Sequence, residues 1–107
     1  MPKYNKLVRD GIPEIIKSNG KKAKVEILQQ DRYILELKKK LREEVEEYQS
    51  ASTNQEGLEE LADILEVIHS LSRVHRASIE ELEQIRSSKA NKRGSFHEKV
   101  FLIEVEE

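Results

Sequence analysis

A chain of 107 residues has room for one domain, and 37% charged side chains, against about 25% in an average soluble domain, favour helices with one wet face over a broad sandwich core. Lys and Arg total 19 against 21 acids, so the net charge of −2 creates no field that draws the chain to a nucleic-acid polymer or an anionic membrane. The absence of cysteine excludes a disulfide scaffold, thiol chemistry and a thiolate zinc site. With no signal-peptide run before Lys6 and nothing near the ~20 apolar residues of a membrane span, a cytoplasmic single domain over 1–107 is expected.

Pro13, after Asp10-Gly11-Ile12, opens a short predicted helix that stops near Asn19-Gly20. Lys22 to Leu28 alternates charged residues with Ala23, Val25 and Ile27, which predicts a short extended segment before a cap around Gln30 or Asp31. From Asp31 to about Ala51, Ile34, Leu37, Leu41, Tyr48 and Ala51 recur at steps of three and four and mark the inner face of a long helix, broken by Ser52-Thr53-Asn54. A second long helix runs from near Gln55 to about Arg76. Its apolar residues, among them Leu58, Leu61, Ile64, Leu65, Ile68 and Leu71, spread over more than half its circumference, so it is covered on two sides. Ser78 with Glu81 forms a predicted capping box for a third long helix from Ile79 to about Asn91, with a basic end at Lys89, Lys92 and Arg93 before the stop at Gly94. Val100 to Ile103 is a run of β-formers, expected as a strand or as an extended arm packed on the bundle.

Two acids break this pattern. On the first long helix every position of the inner stripe is apolar or small except Glu44, and Glu47 stands three residues on, facing the same neighbour. On the second, Glu60 begins the row completed by Ile64, Val67, Leu71 and Val74, with Asp63 at the same offset. Antiparallel helices joined by a short loop bring the two pairs to one level, where four uncompensated carboxylates repel and resist desolvation. A divalent cation removes that conflict, and oxygen-only donors favour Mg²⁺ or Mn²⁺ over zinc. The other glutamates, Glu43, Glu46, Glu56, Glu59 and Glu66, read as solvated helix faces.

Lys40-Leu41-Arg42-Glu43-Glu44-Val45-Glu46-Glu47 and, further on, Glu60-Leu61-Ala62-Asp63-Ile64-Leu65 resemble the ExxE…ExxD signature of the MazG-like all-α nucleoside triphosphate pyrophosphohydrolases. Tyr4 to Asp10, Ile12 to Ile16 and Lys92 to Phe96 resemble segments of a short single-domain branch of that superfamily, so the similarity extends over most of the chain. The resemblance implies an all-α helical bundle completed by oligomerisation, as a homodimer or homotetramer, with short extended terminal segments. It also implies that Glu44, Glu47, Glu60 and Asp63 hold Mg²⁺ and form the catalytic set. The expected reaction cleaves the α–β phosphoanhydride of a nucleotide to monophosphate and pyrophosphate.

A polyphosphate needs cations from the protein as well, and Lys6, Arg9, Lys89, Lys92 and Arg93 are candidates because they fall in the family-like terminal segments. His69, His75 and His97 have no ligand spacing, and Tyr48 reads as core packing rather than a nucleobase platform. Two alternatives stand beside this expectation: hydrolysis of phosphoribosyl-ATP by the same chemistry, and a non-catalytic dimeric interaction module whose acids are a solvated seam.

Overall fold

The computed structural model describes residues 2–107, and among these the regular structure is four α-helices with no strand. Helix α1 (Ile12–Ser18) carries Pro13 in its first turn, and Gly20, at φ 79°, takes the left-handed conformation just beyond its end. Helix α2 (Gln30–Gln49) follows an extended Gln29 and has Asp31 in its first turn, where an acid suits the helix dipole.

Helix α3 (Asn54–Val74) begins with a cap not foreseen from the sequence. Thr53 Oγ1 accepts from the Glu56 N–H at 3.1 Å, and Glu56 Oε2 accepts in turn from the Ser52 N–H at 2.9 Å. Glu56 is therefore part of the helix start rather than an idle solvated acid. The helix ends at Val74, two residues before the expected Arg76, because Arg76 turns into the left-handed region at φ 60°. The buried Ser72 hydroxyl secures this turn by donating to the Ala77 carbonyl at 2.9 Å. Helix α4 (Ile79–Arg93) starts with Ser78 Oγ accepting from the Glu81 N–H at 3.1 Å and stops at Gly94, φ 83°.

Helices α2 and α3 form an antiparallel hairpin, and its seam is the core. Leu37 and Val67 are buried, at 3% and 8% exposure, with Ile34, Leu41, Ile64 and Leu71 half-buried around them. Little else is covered. Helix α4 touches α3 only slightly, and α1 packs against none of the other helices. The radius of gyration is 18.3 Å, with extents of 61 × 35 × 26 Å. A compact domain of this length has a radius near 13 Å.

Two expectations need correction. Tyr48 is exposed rather than core, because it stands at the loop end of the hairpin, beyond the buried seam. Val100 to Ile103 does not pack on the bundle: Phe101 is 86% exposed and no strand forms there. Lys22 to Leu28 likewise lacks strand pairing, leaving Val25 and Ile27 exposed. Both segments carry β-formers, but no neighbouring edge among the described residues meets them. No helix among the described residues is long and apolar enough to cross a membrane.

Candidate metal centre

The hairpin geometry carries the acids together. Glu44 lies seven residues beyond Leu37 on α2 and Glu60 seven before Val67 on α3, so both stand about 10 Å from the apolar layer, toward the loop. One carboxylate oxygen from each of Glu44, Glu47 and Glu60 lies within 4.8 Å of the others. Glu44 is buried, at 6% exposure, Glu60 is half-buried and Glu47 is exposed at the rim. This order follows from helix phase. Glu44 and Glu60 occupy seam positions, while Glu47 sits about 60° around α2 and reaches in from the edge.

Protein donors answer only part of this charge. Lys40, one turn before Glu44, places Nζ 3.4 Å from Glu44 Oε1. Glu44 Oε2 and Glu60 Oε2 are both buried with no donor on them. Two such oxygens beside a third carboxylate must hold a proton or attract a cation. Burial raises the pKa of Glu44, reinforced by the charge of Glu47 and, more weakly, by Asp63, while Lys40 opposes the shift. Glu60 is pushed up to about 7, first by a hydrogen bond shared with Glu47, then by burial and by the charges of Glu47, Asp63 and Glu44.

Asp63, expected as the fourth ligand, is not among the three converging acids. Its Oδ1 accepts from Arg9 Nη2 at 2.6 Å, and Arg9 Nη1 also stands 4.0 Å from Glu66 Oε1. The N-terminal segment therefore lays a guanidinium along the acidic side of α3, and Arg9 is the one expected phosphate-binding residue placed beside the acids. Lys6 lies over the Tyr4 ring, 5.7 Å from its centroid. Lys89, Lys92 and Arg93 are exposed on α4 and, among the described residues, form no ion pair with an acid. The i,i+4 spacing of Lys40 to Glu44 is the sequence signal for this pair, a common one on a chain so rich in charge.

The donor set fits a hard divalent cation. Its groups are carboxylates alone, drawn from two helices, and two of the oxygens lack any other partner. Glu44, Glu47 and Glu60 are the residues placed to hold such an ion. No known protein family, curated protein or solved structure matches the chain.

Proposed function

We propose that this chain is a Mg²⁺-dependent nucleotide pyrophosphohydrolase of the MazG-like all-α kind, cleaving the α–β phosphoanhydride of a nucleoside triphosphate or related nucleotide. The observation that carries the reading is the convergence of Glu44, Glu47 and Glu60 within 4.8 Å, with two buried oxygens lacking donors. A pair of helices built only for stability gains nothing from such a group, because each buried unpaired carboxylate opposes folding.

In this reading Glu44, Glu47 and Glu60 hold Mg²⁺ or Mn²⁺, and Asp63 joins them when Arg9 leaves it for a phosphate. The ion, when bound, neutralises phosphate oxygens and makes water in the site more acidic. Lys40 keeps one oxygen of Glu44 oriented along α2, leaving the other for the centre. Binding the ion would displace the proton that Glu60, pushed up to about 7, holds in the metal-free chain. Arg9, with its forked donors, suits a bidentate hold on phosphate, and Lys6, Lys89, Lys92 and Arg93 supply further positive charge.

Assembly as a homodimer or homotetramer belongs to the same proposal. The chain exposes 10241 Å², whereas a folded monomer of its mass exposes roughly 6,200 Å². That excess supports a second copy covering the hairpin, and basic residues of α4 in one chain would then face acids of the other. The test is pyrophosphate release from canonical, deoxy, oxidised and phosphoribosyl nucleotides, measured against Mg²⁺ concentration. Metal-dependent pyrophosphate release is expected from at least one of them; release of orthophosphate alone contradicts the bond assignment.

A further inference from the structure

Two exposed segments of this chain match each other as strands, although neither meets the other within it. Residues 22–28 and 100–106 have no helix or strand assignment, and no backbone hydrogen bond ties either of them to another part of the described chain. Their apolar side chains are bare: Ile27 is 93% exposed, and Val25, Phe101, Ile103 and Val105 are exposed with it. Unpaired backbone flanked by exposed β-formers is a template for strand addition.

The sequences select one register. Run antiparallel with Val25 opposite Ile103, the segments place Ala23 opposite Val105 and Ile27 opposite Phe101, so one face is wholly apolar. On the other face Lys22 meets Glu106 and Lys24 meets Glu104, while Glu26 stands opposite Leu102 and Leu28 opposite Val100, with no like charges opposed. Sliding by two residues in one direction sets Glu26 against Glu104, and in the other it sets Ile27 of the apolar face against Lys99. A slip of one residue loses both ion pairs: in one direction it sets Lys24 against Ile103 and Glu26 against Phe101, and in the other it sets Val25 against Glu104 and Ala23 against Glu106. The parallel arrangement that keeps Lys24 beside Glu104 opposes Glu26 to Glu106.

We infer that residues 100–106 of one copy pair antiparallel with residues 22–28 of a second copy, and reciprocally, so that two exchanged strands join the dimer. Topology favours exchange over pairing within one chain. Helix α4 begins at the end of the hairpin where Leu28 leads into α2, and its 15 residues carry the following segment about 22 Å away from that end. The surface available is ample: the excess over a folded monomer is about 4,000 Å², and a standard interface takes about 800 Å² from each partner. A two-stranded ribbon alone is marginal in water, so its apolar face must lie on helices, and Leu58, Leu61 and Leu65 of α3 remain exposed to receive it.

This inference rests on the self-association in the proposed function but fails separately from it. The native chain has no cysteine, so Val25→Cys and Ile103→Cys can be made in separate chains, mixed and oxidised, with light scattering on the native protein alongside. The expected result is a disulfide joining the two different chains, with little product when Val25→Cys is mixed with Val100→Cys. A dimer without the selective disulfide overturns the strand exchange and leaves self-association intact, whereas a monomer overturns both. As a second measurement, Lys24→Glu is expected to weaken dimerisation about tenfold, since the pair occurs twice in a two-fold dimer, and adding Glu104→Lys to restore it. Helical circular dichroism checks that each variant is folded, and a folded double variant that fails to recover dimerisation overturns the pairing.

Discussion

Arg9 Nη2 donates to Asp63 Oδ1 at 2.6 Å, joining the segment before α1 to the acidic side of α3 across 54 residues of sequence. The contact gives Asp63 a cation of its own, so a metal ion that recruits Asp63 competes with a guanidinium already in place. Both groups are largely open to water, which limits the pair to about 0–1 kcal/mol. Arg9→Ala is therefore expected to leave thermal stability nearly unchanged while tightening Mn²⁺ binding in the absence of nucleotide by about two- to fivefold. Calorimetric titration of Mn²⁺ into both proteins checks this. Equal affinities would separate Asp63 from the metal centre.

Glu44 is the most buried member of the acidic set, and one of its oxygens has no partner. Glu44→Gln keeps the shape, removes a charge and adds donors toward Glu47 and Glu60. In chelator at neutral pH the variant is expected to be more stable than the native chain by about 1 kcal/mol, because it relieves an unsatisfied buried group. Millimolar Mg²⁺ or Mn²⁺ is expected to raise the melting temperature of the native protein, and the variant is expected to lose that rise. A native chain with no metal-dependent shift would favour the non-catalytic interaction module.

The raised carboxyls also set a pH dependence for the metal-free protein. Glu44 and Glu60 hold protons more tightly when folded than when unfolded, Glu60 up to about 7 against an ordinary 4.5. Between these values the folded state binds more protons, so stability falls as pH rises; the contribution is complete below about 4.5 and lost through about 7. Glu83, lowered by its hydrogen bond to Arg86, acts in the opposite sense but below the ordinary carboxylate range. In chelator the melting temperature should decline from about pH 5 to about pH 7.5, with a flatter profile in Glu60→Gln. A level native profile over that window counts against proton sharing in the cluster.

What the residues announced in advance was periodicity. The apolar steps of α2 place Leu37 on the seam, and the same phase carries Glu44 into it, so a buried carboxylate was readable without coordinates. Capping chemistry marked Ser78 and Gly94 in the same local way. Thr53 with Glu56 has an equally local pattern, but acids are so common on this chain that a capping glutamate does not stand out among them. The Arg9–Asp63 pair was beyond reach for a different reason: charge type shows that a partner is wanted, not which of many acids a segment far away in sequence will meet. Val100 to Ile103 had a similar limit. Its β-formers advertise burial, but what buries them is not local information, and in this chain nothing does.

The assembly prediction follows from that exposed surface. On α3, Leu58, Leu61 and Leu65 stay exposed on the side turned away from α2, while α4 reaches only slightly onto the helix. An apolar strip of this kind on a highly charged chain is the surface that a second copy is expected to cover. Light scattering at micromolar concentration is expected to give at least twice the 12.5 kDa chain mass. Leu61→Glu places a charge in the middle of the strip without touching the α2–α3 seam, so it should shift the protein toward monomer by at least about tenfold in dissociation constant, the cost of desolvating an unpaired carboxylate. Helicity should be retained, because Leu61 contributes little to the core of the single chain. If basic residues of one copy serve the acids of the other, the same variant loses nucleotide hydrolysis in step with its dissociation while Mn²⁺ still binds at Glu44, Glu47 and Glu60. A native monomer with full hydrolytic activity would defeat the assembly and leave the metal centre untouched.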